Sequence, residues 1–199
     1  MNGQWVVQSV LVEDRAVPKH SSTRLTYEDF LLFPDDGLRH EIIEGEHYVT
    51  PSPSMRHQRI CGRIFHLVQS YLDTHPVGEI LFAPFDVLLS EFNVFEPDLL
   101  YISNERAHQL TEQILRGAPD LVVEILSPGT RHRDLQLKRT VYEKTGVQEY
   151  WVVDPDADTI DVFARAGHAF GDPRRLTKGD TLTTLLLPGL ELPLDKVLA

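Results

Sequence analysis

The strongest constraint in this sequence is Leu121-Val-Val-Glu-Ile-Leu126, a run apolar on both strand faces and interrupted by a single carboxylate. Bounded by Pro119-Asp120 on one side and Ser127-Pro128-Gly129 on the other, it predicts a central strand covered by helices. Ser127–Thr130 then starts a helix running through Lys144, with Gly146 as its C-terminal stop. Glu149-Tyr-Trp-Val-Val153 is another buried strand, ended by Asp154-Pro155. Two buried strands around one helix make a βαβ crossover, with the strands parallel. The fold class is α/β, a mixed β-sheet flanked by helices.

The remaining elements fit around this unit. Residues 1–24 show no clean period and read as a loose N-terminal arm, leaving 25–199 as one domain. Thr26 is an N-cap, with Asp29 in the capping-box position, for a short helix reaching Phe33. His40–Glu44 and Glu46–Thr50 read as two strands around Gly45. From Ser54 to Asp73, Ile60, Ile64, Leu67, Val68, Tyr71 and Leu72 recur at helical spacing, with Arg56, Arg59, Arg63 and His66 on the opposite face. Strands follow at Glu79–Phe82, Phe85–Leu89 and Asp98–Ile102. Glu105–Arg116 is an exposed helix or loop, Thr159–Ala164 a strand, Ala166–Asp180 a polar loop and Thr181–Leu187 a late strand.

Composition narrows the function classes. A chain of 199 residues with 42% hydrophobic residues can bury an ordinary core without a structural metal. The single cysteine, Cys61, precludes an intrachain disulfide, and no run approaches the ~20 apolar residues of a membrane span. The expectation is a cytoplasmic protein with no membrane association. A net charge of −11 argues against bulk attraction to nucleic acid. The distribution matters more than the sum. No acid occurs between His47 and Leu72, where Arg56, Arg59 and Arg63 fall, and a second basic island spans Arg131, Arg133, Lys138, Arg139 and Lys144.

Phosphate loops, dinucleotide glycine fingerprints and nucleophile elbows are absent from the sequence, and its histidines and lone cysteine have no zinc spacing. A hard, oxygen-liganded ion such as Mg²⁺ or Mn²⁺ needs only a few convergent carboxylates. Glu124 is the leading candidate, because an unpaired carboxylate inside an apolar strand costs several kcal/mol unless a cation or proton meets it. Asp98 follows Pro97 at a strand entry. Asp120 follows Pro119 in the same pattern and competes with it. Glu44 closes a strand at the Gly45 turn, where a solvated acid is the simpler reading. Lys138 has two readings. Asp134, one turn earlier, offers a surface ion pair. Alternatively, the strand runs about 7 Å past Glu124 and the helix returns roughly 12 Å by Lys138, which brings the ammonium level with Glu124.

These residues resemble a known family. Pro97-Asp98, a hydrophobic strand bearing Glu124 and a crossover helix bearing Lys138 resemble the PD-(D/E)XK nuclease superfamily. More narrowly, Pro119–Asp134 with Lys138, Tyr142, Gly146 and Glu149–Pro155 resembles the bacterial Uma family of putative restriction endonucleases. Thr26–Phe30, Glu41–Glu46, Pro53–Arg59 and Ala83–Val87 match it too. The resemblance implies a restriction-endonuclease-like fold, a divalent metal (Mg²⁺ or Mn²⁺) held by Asp98 and Glu124, and DNA hydrolysis. The motif lysine belongs two places after Glu124, where Leu126 stands, so the resemblance places that role on Lys138. Glu44 would complete the metal shell. Arg56, Gln58, Arg59, Arg63, Arg131 and Arg133 would hold the DNA, and a twofold homodimer would cut both strands. The alternative is a catalytically inactive module of the same fold, serving as a protein-interaction or DNA-binding scaffold. A weaker third is a phosphohydrolase acting on small phosphate esters.

Overall fold

The computed structural model describes residues 24–199, so the arm expected at 1–24 lies, save its last residue, outside the described residues. Helix α1 (Tyr27–Phe30) begins with the expected capping box on Thr26 and Asp29, but it stops at Phe30, three residues early. Strands β1 (Arg39–Ile43) and β2 (Glu46–Thr50) form the expected hairpin, register Ile43 to Glu46 at its tip. Helix α2 (Met55–Leu72) starts at the Ser54 N-cap, whose hydroxyl accepts from the His57 N–H.

Next come β3 (Gly78–Phe82), β4 (Asp86–Ser90), β5 (Asn93–Phe95), β6 (Leu99–Ser103), β7 (Ile114–Arg116) and β8 (Leu121–Ile125). The chain then winds into a π-helical segment (Arg133–Lys138) that continues as α3 (Arg139–Thr145). It closes on Gly146 at φ 99°, a left-handed conformation glycine adopts freely. Strands β9 (Glu149–Asp154), β10 (Thr159–Ala166), β11 (Ala169–Phe170), β12 (Arg174–Thr177), β13 (Thr181–Leu182) and β14 (Leu192–Pro193) follow, and α4 (Leu194–Val197) comes last.

The strands make two main sheets rather than the one expected. The larger runs β11-β10-β9-β8-β6-β3, with β12 on β10; the other runs β2-β1-β5-β4-β7. β8 and β9 pair in parallel across the crossover helix, as the sequence predicts, while β6 pairs with β8 antiparallel. The short strands β5 and β7 escape periodicity because three residues span barely one full alternation. The polar segment Ala166–Asp180, expected to be a loop, contains the edge strands β11 and β12, and the late strand shrinks to Thr181–Leu182.

Strand parity assigns the two faces of β8. Leu121, Val123 and Ile125 pack with Ile60, Ile64, Val68 and Leu72 of α2, each fully buried aliphatic contributing roughly 1.5–3 kcal/mol. Val122 and Leu126 instead join Val141, Tyr142 and Tyr150 beneath α3. Glu124 shares their parity, so its carboxylate is delivered to the face that the crossover helix covers.

Candidate active site

Extending the β6–β8 register by one step from Leu99–Val123 sets Asp98 directly opposite Glu124. Opposed antiparallel residues hold their Cβ atoms about 5 Å apart. Both carboxylates are buried, Asp98 at 5% and Glu124 at 3% exposure, and both line one cavity of about 220 Å³. The Lys138 ammonium arrives from the π-helical segment, 3.0 Å from Glu124 Oε1, and the Tyr142 hydroxyl donates to the same oxygen at 2.8 Å. The returning helix therefore does bring Lys138 level with Glu124.

Lys138 is not in a surface ion pair. Its side chain is 4% exposed and held by Glu41 at 2.7 Å, Glu124 at 3.0 Å and Asp134 at 3.6 Å. Asp134 is buried as well, and its Oδ1 has no hydrogen-bond partner. Around Asp98, the His57 Nε2–H donates to Oδ2 at 3.0 Å, the Ile125 N–H donates to the same oxygen at 2.9 Å, and Arg39 reaches Oδ1 at 3.1 Å. Arg39 also contacts Glu96 at 3.3 Å.

Five carboxylates (Glu41, Glu96, Asp98, Glu124, Asp134) thus surround two permanent cations, Arg39 and Lys138. That imbalance shows in their proton affinities. Burial raises Glu124 well above the usual carboxylate range despite the ammonium of Lys138, and burial raises Asp134 too. Burial pushes Glu96 up to about 7. Asp98 goes the other way: burial opposes ionisation, but the His57 hydrogen bond and the His57 and Arg39 charges outweigh it. Burial disfavours the charge on Lys138, yet Glu124, Glu41 and Asp134 together hold it firmly protonated.

Among the described residues, no three His, Cys, Asp or Glu side chains are arranged to hold a metal by themselves. Mg²⁺ needs fewer, since it keeps several waters and commonly uses one or two carboxylates plus substrate phosphate. The all-oxygen donor set, the surplus of buried negative charge and the unpartnered Asp134 oxygen fit such an ion at the Asp98–Glu124 pair.

Glu44 does not join this cluster. It sits exposed at the hairpin turn with φ 54°, and Glu41, three residues earlier on β1, takes the position instead. The reason is the turn: β1 ends at Ile43, so Glu44 has left the strand before its side chain can face inward. Asp120 is excluded because it lies before the opposite end of β8, where Arg106 at 3.2 Å and the Ser103 N–H at 2.8 Å occupy it.

The expected nucleic-acid residues do not form one free track. Arg56 pairs with Asp158, and Arg131 pairs with Asp154 at 2.7 Å. Arg63 donates to the Val197 and Ala199 carbonyls. Arg133 is buried with its guanidinium 5.2 Å from the Tyr48 ring centre. Gln58 and Arg59 remain exposed on α2.

Four site residues went unassigned from sequence: Glu41, His57, Arg39 and Glu96. Signals for the first two were present. Glu41 precedes Ile42-Ile43, an acid beside an apolar strand run like Glu124. His57 shares the i, i+3, i+7 face of Ile60 and Ile64. Arg39 carries no such signal, because only the fold reveals which acids it meets.

Comparisons with known proteins bear on the family and the fold. No curated protein matches the chain. A solved structure of a putative nuclease from Anabaena variabilis ATCC 29413 superposes with a TM-score of 0.76, at 20% identity, over 87% of this chain and 97% of that one. The fold is restriction-endonuclease-like. The profile of the Uma2 family, described as "Putative restriction endonuclease", matches residues 27–195. The chain belongs to the Uma2 family of putative restriction endonucleases.

Proposed function

We propose that this chain is a divalent-metal-dependent endonuclease that hydrolyses DNA phosphodiester bonds. The observation that carries the reading is the cross-strand carboxylate pair Asp98–Glu124, buried at one cavity with a lysine ammonium 3.0 Å from Glu124. Asp98 and Glu124 would hold the Mg²⁺ or Mn²⁺, which polarises the scissile phosphate and acidifies a bound water. His57 and the Ile125 N–H fix the Asp98 carboxylate from behind, as outer partners do for metal-binding side chains. Lys138 supplies a fixed positive charge where negative charge gathers on the phosphate oxygens. Glu41 and Asp134 anchor that ammonium, and Tyr142 restrains Glu124.

The inactive-scaffold reading has one observation in its favour: three acids already clamp Lys138, so the cluster is self-consistent as a structural network. Cleavage decides between the two. The nuclease reading expects DNA hydrolysis that needs Mg²⁺ or Mn²⁺, stops with chelator, and is abolished in Asp98→Asn and Glu124→Gln variants that remain folded. A chain that cleaves nothing with either ion, or variants as active as the parent, would leave the scaffold.

A further inference from the structure

We propose that Arg39 and the divalent ion compete for one oxygen of Asp98, so that loading the site transfers this carboxylate from the guanidinium to the metal. The proposal rests on the metal-dependent nuclease reading and concerns how that same site is filled. It makes Arg39 a positioning residue that sets the affinity for the ion.

The two oxygens of Asp98 have different neighbours. Oδ2 accepts from the His57 Nε2–H at 3.0 Å and from the Ile125 N–H at 2.9 Å, which uses both of its lone pairs. Oδ1 accepts from Arg39 Nη1 alone among the described residues, at 3.1 Å. An ion that joins Asp98 to Glu124 therefore attaches through Oδ1. Mg²⁺ binds oxygen at about 2.0–2.1 Å, which puts it within about 5 Å of Nη1. Solvent screens charges poorly at that range in a site this buried. The guanidinium and the ion do not share Oδ1 cheaply, and the doubly charged ion is the stronger partner.

Arg39 is also placed to let go. It opens β1, lines the cavity and keeps 18% side-chain exposure. Its Nη2 donates to the Glu96 carbonyl, and its Nε lies 3.3 Å from Glu96 Oε2. Neither Nε nor that oxygen has a hydrogen-bond partner, although both are buried. The guanidinium thus spans two acids and pairs imperfectly with Glu96. Releasing Oδ1 lets it turn fully onto Glu96 while Nη2 keeps its carbonyl. Lys138 is under no such demand. It and Tyr142 both donate to Glu124 Oε1, which leaves Oε2 for the ion. One cation of the site is fixed and the other is exchangeable.

The test uses the full chain and the metal alone, with Mn²⁺ titration calorimetry on the parent and Arg39→Gln. Alongside it, ¹⁵N spectra follow the arginine Nε–H groups of the parent as Mg²⁺ is added. The expected result is Mn²⁺ binding about tenfold tighter in Arg39→Gln, because the competing charge is gone. The Arg39 resonance, assigned by its absence from the variant, should shift and saturate together with the ion. A residue that only orients Asp98 predicts the opposite, a loss of about 10–100-fold in metal affinity. Equal or weaker Mn²⁺ binding by an Arg39→Gln chain with a normal melting temperature overturns the proposal. So does an Arg39 resonance unmoved at saturating Mg²⁺. Either result leaves the metal site itself standing. If Arg39→Gln does not fold, Arg39→Lys supplies the assignment and the resonance decides alone. A parent chain that binds neither ion removes the metal-dependent reading, and the proposal with it.

Discussion

At Lys138, the chemistry of one ammonium decides how much a single substitution should cost. An exposed Asp134–Lys138 pair would be worth about 0.5 kcal/mol, but this lysine is 4% exposed and meets three carboxylates within 3.6 Å. Removing one partner of a buried ionic cluster strands the others, at about 3–5 kcal/mol. Lys138→Ala should therefore lower unfolding free energy by that amount in urea titration. Adding Glu124→Gln to it should recover part of the loss, which identifies stranded charge as the cause. Asp86 gives a pH test away from the site. Burial pushes its carboxyl up from 3.8 to about 6. The folded chain then holds a proton that the unfolded chain has released, so stability falls as pH rises from about 4 through 6. Asp86→Asn should flatten that slope and be more stable than the parent at pH 7, measured by denaturant midpoints across the range. At this scale the sequence was informative where a carboxylate interrupts an apolar run, as at Glu124. At Glu44 the simpler reading, a solvated acid at a turn glycine, is what the fold delivers, and only the resemblance had placed it in the metal shell.

Local pattern and tertiary context separate most clearly in the elements. Helix α2 was legible to within a residue because eighteen residues of apolar period and a serine cap agree. Its cap is directly testable: Ser54→Ala removes the acceptor for the His57 N–H and should cost about 1 kcal/mol. Because His57 then holds Asp98, the same variant should weaken metal binding more than an equally destabilising change elsewhere, as isothermal calorimetry would show. The crossover β8-α3-β9 was readable for the same reason, but the π-helical winding of Arg133–Lys138 was not. Widened turns of this kind leave no period in six residues, and they concentrate at functional sites. Strands of two or three residues, such as β5, β7 and β11, are set by the sheet they join rather than by their own sequence.

Taken whole, the molecule carries a net charge of −11, and among the described residues several arginines of its basic islands already face acids. The two basic islands in the sequence invited a cationic track; folding placed acids from distant segments, Asp154 and Asp158, against Arg131 and Arg56. Pairings of that separation have no local signature. Arg59→Ala, at an exposed arginine, should therefore lower the salt slope of nucleic-acid binding by no more than about one phosphate contact. Arg133→Ala should instead act on stability, because that guanidinium is buried over Tyr48. Among the described residues no helix is long and apolar enough to cross a membrane.

The central claim, that Asp98 and Glu124 together form a divalent-ion site, is tested most directly by Mn²⁺ titration calorimetry on the parent chain, Glu124→Gln and Glu44→Gln. A site present in the parent, lost in Glu124→Gln and unchanged in Glu44→Gln is the result expected from the buried cross-strand pair. Equal Mn²⁺ binding by all three proteins, or none by the parent, would contradict it.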